Sequence, residues 1–366
     1  MTASSPAPMV DVDLDAVCAN YRFLKASVAP AECAAVVKCD GYGLGAVQIA
    51  RALANEGCGA FFVTYAEEGA ALRQAGVAGP IYVFNGPDAA SLALFRDAGL
   101  TPVLNSLDQA RLWLNAAPGA GAALHVDTGM NRLGAPAAEV RALASLQGLR
   151  IDLVMSHLAC PSLADESKNE RQRAAFEEEA AFFPGARRSL AASGGALMDP
   201  RYHYDLVRPG LALYGASPFD RPDTRLKTVA SLAAPVLQIR EAPPGETVGY
   251  GATFSVTRPS RLATVALGYG DGYPRAASNR ARAFLGGALC PIAGRVSMDL
   301  SVLDVTDAPL TIHVGDLAEF FGARLPVEDA AAAAGTLAYE LLTSLGPRVA
   351  RRYWRHGRPL SAGDTR

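Results

Sequence analysis

Lys38 stands where a short apolar run gives way to a turn in AAVVKCDGYGLGA, residues 34–46, with Tyr42 four residues on and glycines at 41, 43 and 45. A lysine among apolar neighbours has its ammonium form disfavoured, and a neutral amine is the nucleophile that forms a Schiff base with an aldehyde. Other polar residues close apolar runs in the same way. They are Asp127 and Arg132 in HVDTGMNRLG, His157 in IDLVMSH, Ser193 with Gly194 and Gly195, and Arg208 in LVRPGLALYG. Each alone has an ordinary structural explanation, since a strand-end lysine snorkels to solvent and paired glycines make turns. As a set they ask for several independent accidents on one rim. The SGG and RPGL loops let backbone N–H groups approach a phosphate closely, and the Tyr42 hydroxyl could add a donor. Pyridoxal phosphate carries both an aldehyde and a phosphate.

The elements that must position these residues form a regular series. Eight strand candidates run from Ala34 to Val37, Ala60 to Thr64, Ile81 to Phe84, Pro102 to Leu104, Ala123 to Val126, Ile151 to Ser156, Ser189 to Ala192 and Tyr204 to Val207. Helical stretches such as VQIARALANEG, EEGAALRQAG, AAEVRALASL and ESKNERQRAAFEEEAAFF lie between them. Eight such units predict an α/β fold built on a closed (β/α)8 barrel, whose chemistry sits at the C-terminal ends of the strands. After about residue 225 the segments VASLAAPVLQIREA, RLATVALGY, RAFLGGALCPIAG, MDLSVLDV and GDLAEFF are strand-like, and VEDAAAAAGTLAYELLTSL is helical. The expected division is a barrel over 13–225 and a mostly antiparallel β domain over 226–366. The leading MVDVDL is strand-like and could pair with either.

Composition narrows the function further. In 366 residues the net charge is −2 and half are hydrophobic, with no dense basic patch, so neither nucleic acid nor a membrane is expected as a partner. The basic run RVARRYWRHGR is explained as well by a solvated final strand. Cys18, Cys33, Cys39, Cys58, Cys160 and Cys290 show no metal-like spacing and read as free thiols of a reducing compartment. The N-terminus has no secretory pattern, which sets cytoplasmic location as the expectation.

The segments AVVKCDGYGLGA, HVDTGMNRLG, MSHLA, RPGLALYG, VGYGATF, ALGYGDGYPR, GRVSMDL and AYELLTSLGPRV, in this order and over nearly the whole chain, resemble those of alanine racemases. The resemblance implies a barrel followed by a β domain that takes in the N-terminal strand, 8–13. It implies that Lys38 holds pyridoxal 5′-phosphate as an internal aldimine and serves as the base for D-alanine, and that Tyr250 is the base for L-alanine. Two bases on opposite faces of one planar carbon suit racemisation. It further implies that Arg208 faces the pyridine nitrogen with His157 as its brace. Tyr42, Ser193, Tyr339 and the backbone of Gly210 and Leu211 would hold the phosphate, Arg132 and the Met298 amide the substrate carboxylate, and Tyr269 would line the entrance. Tyr250 and Met298 would come from the partner of a homodimer with composite sites.

Three positions depart from the family pattern. His125 stands where many members carry a carbamylated lysine that steadies the arginine of the DTGMxR motif, Leu44 where histidine is frequent, and Ala192 where asparagine is frequent. None of them removes a proton-transfer group. Rival readings are a diamino-acid decarboxylase of the same fold, a racemase of broader specificity, and a non-enzymatic pyridoxal phosphate carrier. The decarboxylase would need no second base, and the carrier would lack the β domain.

Overall fold

The computed structural model describes residues 7–163, 167–219 and 221–361. Glu166, where one expected helical stretch begins, and 362–366, the end of the expected second domain, lie outside the described residues. Val17–Leu213 form one unit, and the described residues of Met1–Ala16 and Tyr214–Thr365 form the other.

The first unit is the barrel. Parallel strands Ala35–Val36, Phe61–Val63, Ile81–Val83, Thr101–Leu104, Gly121–His125, Arg150–Met155 and Arg187–Ser189 pair in sequence order. The eighth, Leu206–Val207, closes the ring. It pairs in parallel with Glu32–Cys33 on one side, and on the other the amides of Asp205 and Arg208 donate to the carbonyls of Arg188 and Ala191. The eighth strand starts two residues later than the sequence suggests, because Tyr204 takes a left-handed φ of 51°.

Parallel strands are covered on both faces and so read as unbroken apolar runs. Phe61, Phe62 and Val63 accordingly expose no surface. Helices follow the strands at Ala46–Asn55, Ala66–Gln74, Leu92–Asp97, Leu107–Ala116, Ala137–Ala144, Ser167–Ala180 and Ser193–Met198. The Leu107–Ala116 helix starts where it does because Ser106 Oγ accepts from the Gln109 amide, satisfying one of the orphan donors of a helix start.

The second unit is built on the long strand Ala230–Ala242. Met9–Asp13 lies antiparallel to it, Met9 opposite Ala233, and parallel to Ala350–Arg355. Leu317–Phe321 and Ser260–Val265 also pair with it antiparallel, and the hairpin Arg282–Leu285 with Ala288–Pro291 extends the sheet. The basic C-terminal run is used internally. Arg352 makes two bonds of 2.7 Å to the Asp11 carboxylate, and Arg351 donates to the carbonyls of Leu345, Gly346 and Val349.

Candidate active site

At the end of the first strand the chain turns in an unusual way. Cys39, Asp40, Gly41 and Tyr42 have φ of 53°, 50°, 60° and 57°, a left-handed turn with one glycine in it. Each non-glycine residue there costs roughly 1–2 kcal/mol, so surrounding bonds must hold the turn. The Gly43 amide donates to the Cys39 carbonyl at 2.7 Å and the Gly45 amide to that of Asp40 at 2.8 Å. Asp40 Oδ1 accepts from Ala46 N at 2.9 Å and Glu68 Oε1 from Cys39 N at 2.6 Å.

The turn carries Tyr42 into the interior, where a Cβ at Gly210 would collide with its hydroxyl. Lys38 lies on aromatic surface, its Nζ 5.9 Å from the centre of the Phe84 ring. Phe84 stacks on Phe62, and Phe62 lies 6.0 Å from the Arg208 guanidinium.

Arg208 is 2% exposed and has no carboxylate partner among the described residues. It donates from Nη1 to Ser189 Oγ at 2.5 Å and from Nη2 to the Ser156 carbonyl at 2.6 Å. Burial pulls its pKa down to about 9, so it stays cationic at neutrality. Among the described residues the hydrogen bonds of the Arg208 guanidinium run to these two serines, and none joins it to the His157 ring. His157 instead feels burial first and then the nearby charges of Arg208, Arg132 and Lys38, which bring its pKa down to about 3. His125 is brought to about 4 by burial and then by Arg208 and Arg132. Both imidazoles are therefore neutral beside a concentration of positive charge.

Beside Arg208, Ser193 Oγ accepts from the amides of Gly210 and Ala212 at 3.0 and 3.2 Å. The Leu211 amide between them is buried and donates to no group among the described residues. A buried donor left unmade costs about 1–3 kcal/mol. This cradle of the Leu211 amide, Ser193 and the Tyr42 hydroxyl, near an unpaired arginine, has the donor chemistry that a phosphate needs.

Arg132 is exposed, on a loop whose base is closed by Ala135 N to His125 O and Asp127 N to Ala135 O, 2.7 and 2.9 Å. Asp127, singled out in the sequence as a polar strand end, is a loop anchor. Its Oδ1 accepts from the amides of Gly129, Met130 and Asn131. Behind the loop, His125 Nδ1 meets Asn105 Oδ1 at 3.0 Å. The Asn105 amide group donates to the carbonyls of Phe84 and Val103. Asn105 Oδ1 must then accept, which puts the proton on His125 Nδ1 and leaves Nε2 as an acceptor.

The remaining candidates belong to the second unit, and their side chains are open to solvent. Tyr250 is 72% exposed, Met298 56%, Tyr269 43% and Tyr339 42%. Their backbones are nonetheless fixed around Arg295–Asp299. Gly251 packs against the Arg295 guanidinium, Tyr269 N donates to Ser297 O at 3.0 Å, and Gly270 N to Met298 O at 2.7 Å. Arg348 bridges Asp271 and Asp299 at 2.9 and 2.8 Å. Tyr339 lies on the helix Ala338–Thr343, after which Ser344 Oγ donates to Gly272 O.

Residues 12–218 match the family described as alanine racemase, N-terminal domain, and 229–353 that described as alanine racemase, C-terminal domain. The chain belongs to the alanine racemase family. A catabolic alanine racemase of Mesorhizobium japonicum is 44% identical over 363 residues, covering 96% of this chain and 95% of that protein. The crystal structure of alanine racemase from Bartonella henselae with covalently bound pyridoxal phosphate is similar with a TM-score of 0.89 and 38% identity, over 96% of this chain and 100% of that one. The biosynthetic alanine racemase of Pseudomonas aeruginosa gives 0.90 and 36% over the same shares.

Against this family background, Ser156, Ser189, Asn105 and Glu68 are the site residues that sequence reasoning passed over. The available signal was a serine at the end of an expected apolar strand, Ser156 closing one and Ser189 opening another, where a buried hydroxyl must have a partner.

Proposed function

We propose that this chain is a pyridoxal 5′-phosphate-dependent alanine racemase that interconverts L- and D-alanine. The observation that carries the reading is the coincidence, in one barrel, of Lys38 on aromatic surface, a buried Arg208 without a counter-ion, and the Leu211–Ser193–Tyr42 cradle. When bound, pyridoxal phosphate supplies an electron sink that makes an amino acid's α-hydrogen removable.

Lys38 Nζ would hold the cofactor through its aldehyde and move the α-proton of the D-enantiomer, and Tyr250 Oη would move that of the L-enantiomer. Arg208 can only donate to the pyridine nitrogen, because a guanidinium has no acceptor. A guanidinium in that place would leave the ring nitrogen without a proton of its own and so temper the electron sink. Ser189 and Ser156 hold that guanidinium in place, with His157 a neutral neighbour. Tyr42, Ser193, Tyr339 and the backbone of Gly210 and Leu211 take the phosphate. Arg132 and the Met298 amide, which has no partner among the described residues, take the substrate carboxylate. Tyr269 narrows the entrance.

A homodimer with composite sites fits the exposure of Tyr250, Tyr269, Met298, Leu300, Leu337 and Tyr339 in the second unit. Large apolar side chains left open in this number suit a partner surface, and Tyr250 and Met298 then complete the partner's site. Among the described residues no helix is long and apolar enough to cross a membrane. A cytoplasmic enzyme without membrane or nucleic-acid partners is the corresponding reading. Its product would feed peptidoglycan synthesis, or the enzyme would serve alanine catabolism.

Circular dichroism of L-alanine incubated with the protein and pyridoxal phosphate tests the proposal. The signal should decay to zero as the racemate forms, with L-serine and L-lysine reporting breadth. A constant signal with a cofactor-loaded protein overturns it.

A further inference from the structure

We infer that Glu68 is a positioning residue for the Lys38 amine, acting through the amide of Cys39; the inference rests on the racemase reading above. Glu68 sits in the first turn of the helix Ala66–Gln74, after the second barrel strand. Its Oε2 accepts from Thr64 N and Tyr65 N at 2.7 and 3.1 Å, the bonds of an ordinary helix start. That work needs only one carboxylate oxygen. Oε1 reaches away to the first strand's end and accepts from Cys39 N at 2.6 Å, 29 residues away in the chain.

The target of that second bond is an amide to which the turn itself offers no acceptor. Within the left-handed turn the Gly41 amide is taken by the Val37 carbonyl and the Gly43 amide by that of Cys39. The Cys39 amide opens the turn and has no acceptor inside it, as at any helical start. It also belongs to the peptide plane that joins Lys38 to Cys39. Fixing it sets the rotation about the Lys38 backbone and hence the direction in which the side chain leaves.

The first and second strands are direct neighbours, Val36 opposite Phe62, so the carboxylate ties two adjacent strand ends together. No ion pair joins Glu68 to Lys38 among the described residues. Glu68 therefore directs the amine through the backbone rather than by direct contact. A charge-assisted bond of this kind is about twice as strong as a neutral one, which suits a turn that contains three non-glycine residues at positive φ.

The test uses full-length wild type, Glu68→Ala and Glu68→Gln, each as apoprotein and loaded with pyridoxal phosphate. Residue-resolved hydrogen exchange on the apoprotein should show the Cys39 amide exchanging at least tenfold faster in Glu68→Ala, with the amides of 150–155 unchanged. Glu68→Gln keeps the shape and one acceptor, so it should fall between, and it keeps the inference testable if the alanine variant folds poorly. In loaded protein in D2O, loss of the α-hydrogen from D-alanine, on the Lys38 face, should slow at least tenfold. Loss from L-alanine, on the Tyr250 face, should slow less than twofold.

A helix cap alone would slow both faces together and leave the Cys39 amide unmoved, and either result overturns the positioning role. Wild type that exchanges neither enantiomer overturns the racemase reading instead. The Cys39 amide then still decides whether Glu68 holds the turn.

Discussion

The two units treat their functional side chains in opposite ways. In the barrel, Tyr42, Ser193, Arg208 and Leu211 are 6% exposed or less, and the side chains of Ser193 and Arg208 are tied to buried backbone or to another buried hydroxyl. In the β unit the backbones of Tyr269 and Met298 are equally well anchored, yet the side chains of Tyr250, Tyr269, Met298 and Tyr339 stand open. One half positions by enclosure. The other fixes its main chain and leaves the tips open to solvent.

The sharpest way to break this comparison is to remove one group from each half. Lys38→Ala should lower racemisation ~10³-fold or more and abolish the near-visible absorbance of lysine-bound cofactor; a band that persists removes Lys38 from its role. Tyr250→Phe should keep the band while slowing α-hydrogen loss from L-alanine by about 10²–10⁴ and from D-alanine far less. Mixing the two inactive variants should restore up to one working site per heterodimer. Proven subunit exchange without recovered activity would mean that the β unit does not serve a neighbour.

A smaller effect tests enclosure itself. Ser189→Ala strips an acceptor from the buried Arg208 guanidinium and should cost about 1–3 kcal/mol in urea unfolding together with weaker cofactor binding. His157→Gln should cost less, because its ring makes no bond to Arg208. An order reversed between these two would favour His157 as the brace.

The neutral histidines give the barrel a pH dependence with a definite sign. The folded-state pKa values of His157 and His125, about 3 and about 4, lie below the unfolded value of about 6.5. The unfolded chain therefore binds more protons between these limits. Stability is complete above pH 6.5 and falls as pH drops toward 4, by at most about 1.4 kcal/mol per pH unit for each ring. Unfolding midpoints at pH 7 and pH 5 should converge in a His125→Asn, His157→Asn double variant; an unchanged gap sinks the assignment.

The smallest effect belongs to the β unit's own interior. Tyr273 is buried, its hydroxyl without a partner among the described residues, and edge-on to Phe320 at 4.9 Å. Tyr273→Phe should leave thermal stability within about 0.5 kcal/mol of wild type or raise it. A loss well beyond that would mean the hydroxyl has a use in solution.

Much of the barrel was legible because its signals are local. Covered strands read as apolar runs, and a lysine or arginine that ends such a run is conspicuous in isolation. The pairing of MVDVDL was open on residue type alone, since either sheet could use an alternating strand; its neighbours are more than two hundred residues away. The same limit hid Ser189 and Ser156, whose partner Arg208 lies 19 and 52 residues off. Asp127 misled because an aspartate at a strand end looks alike whether it faces substrate or caps its own loop. The left-handed turn was invisible for another reason. KCDGY has one glycine, and what holds the rest at positive φ is bonding from Asp40 and Glu68 that composition does not encode.

The placement of Met9–Asp13 has a consequence for the order of events during synthesis. This strand is made well before either of its neighbours, yet it is gripped between Ala230–Ala242 and Ala350–Arg355, and Asp11 waits for Arg352 and Trp354. The whole of Val17–Leu213 can be translated, and its ring closed, while the N-terminal strand still has no neighbours to pair with. Met9–Asp13 is thus housed late, and one of its edges stays unsatisfied until Ala350–Arg355 has been made.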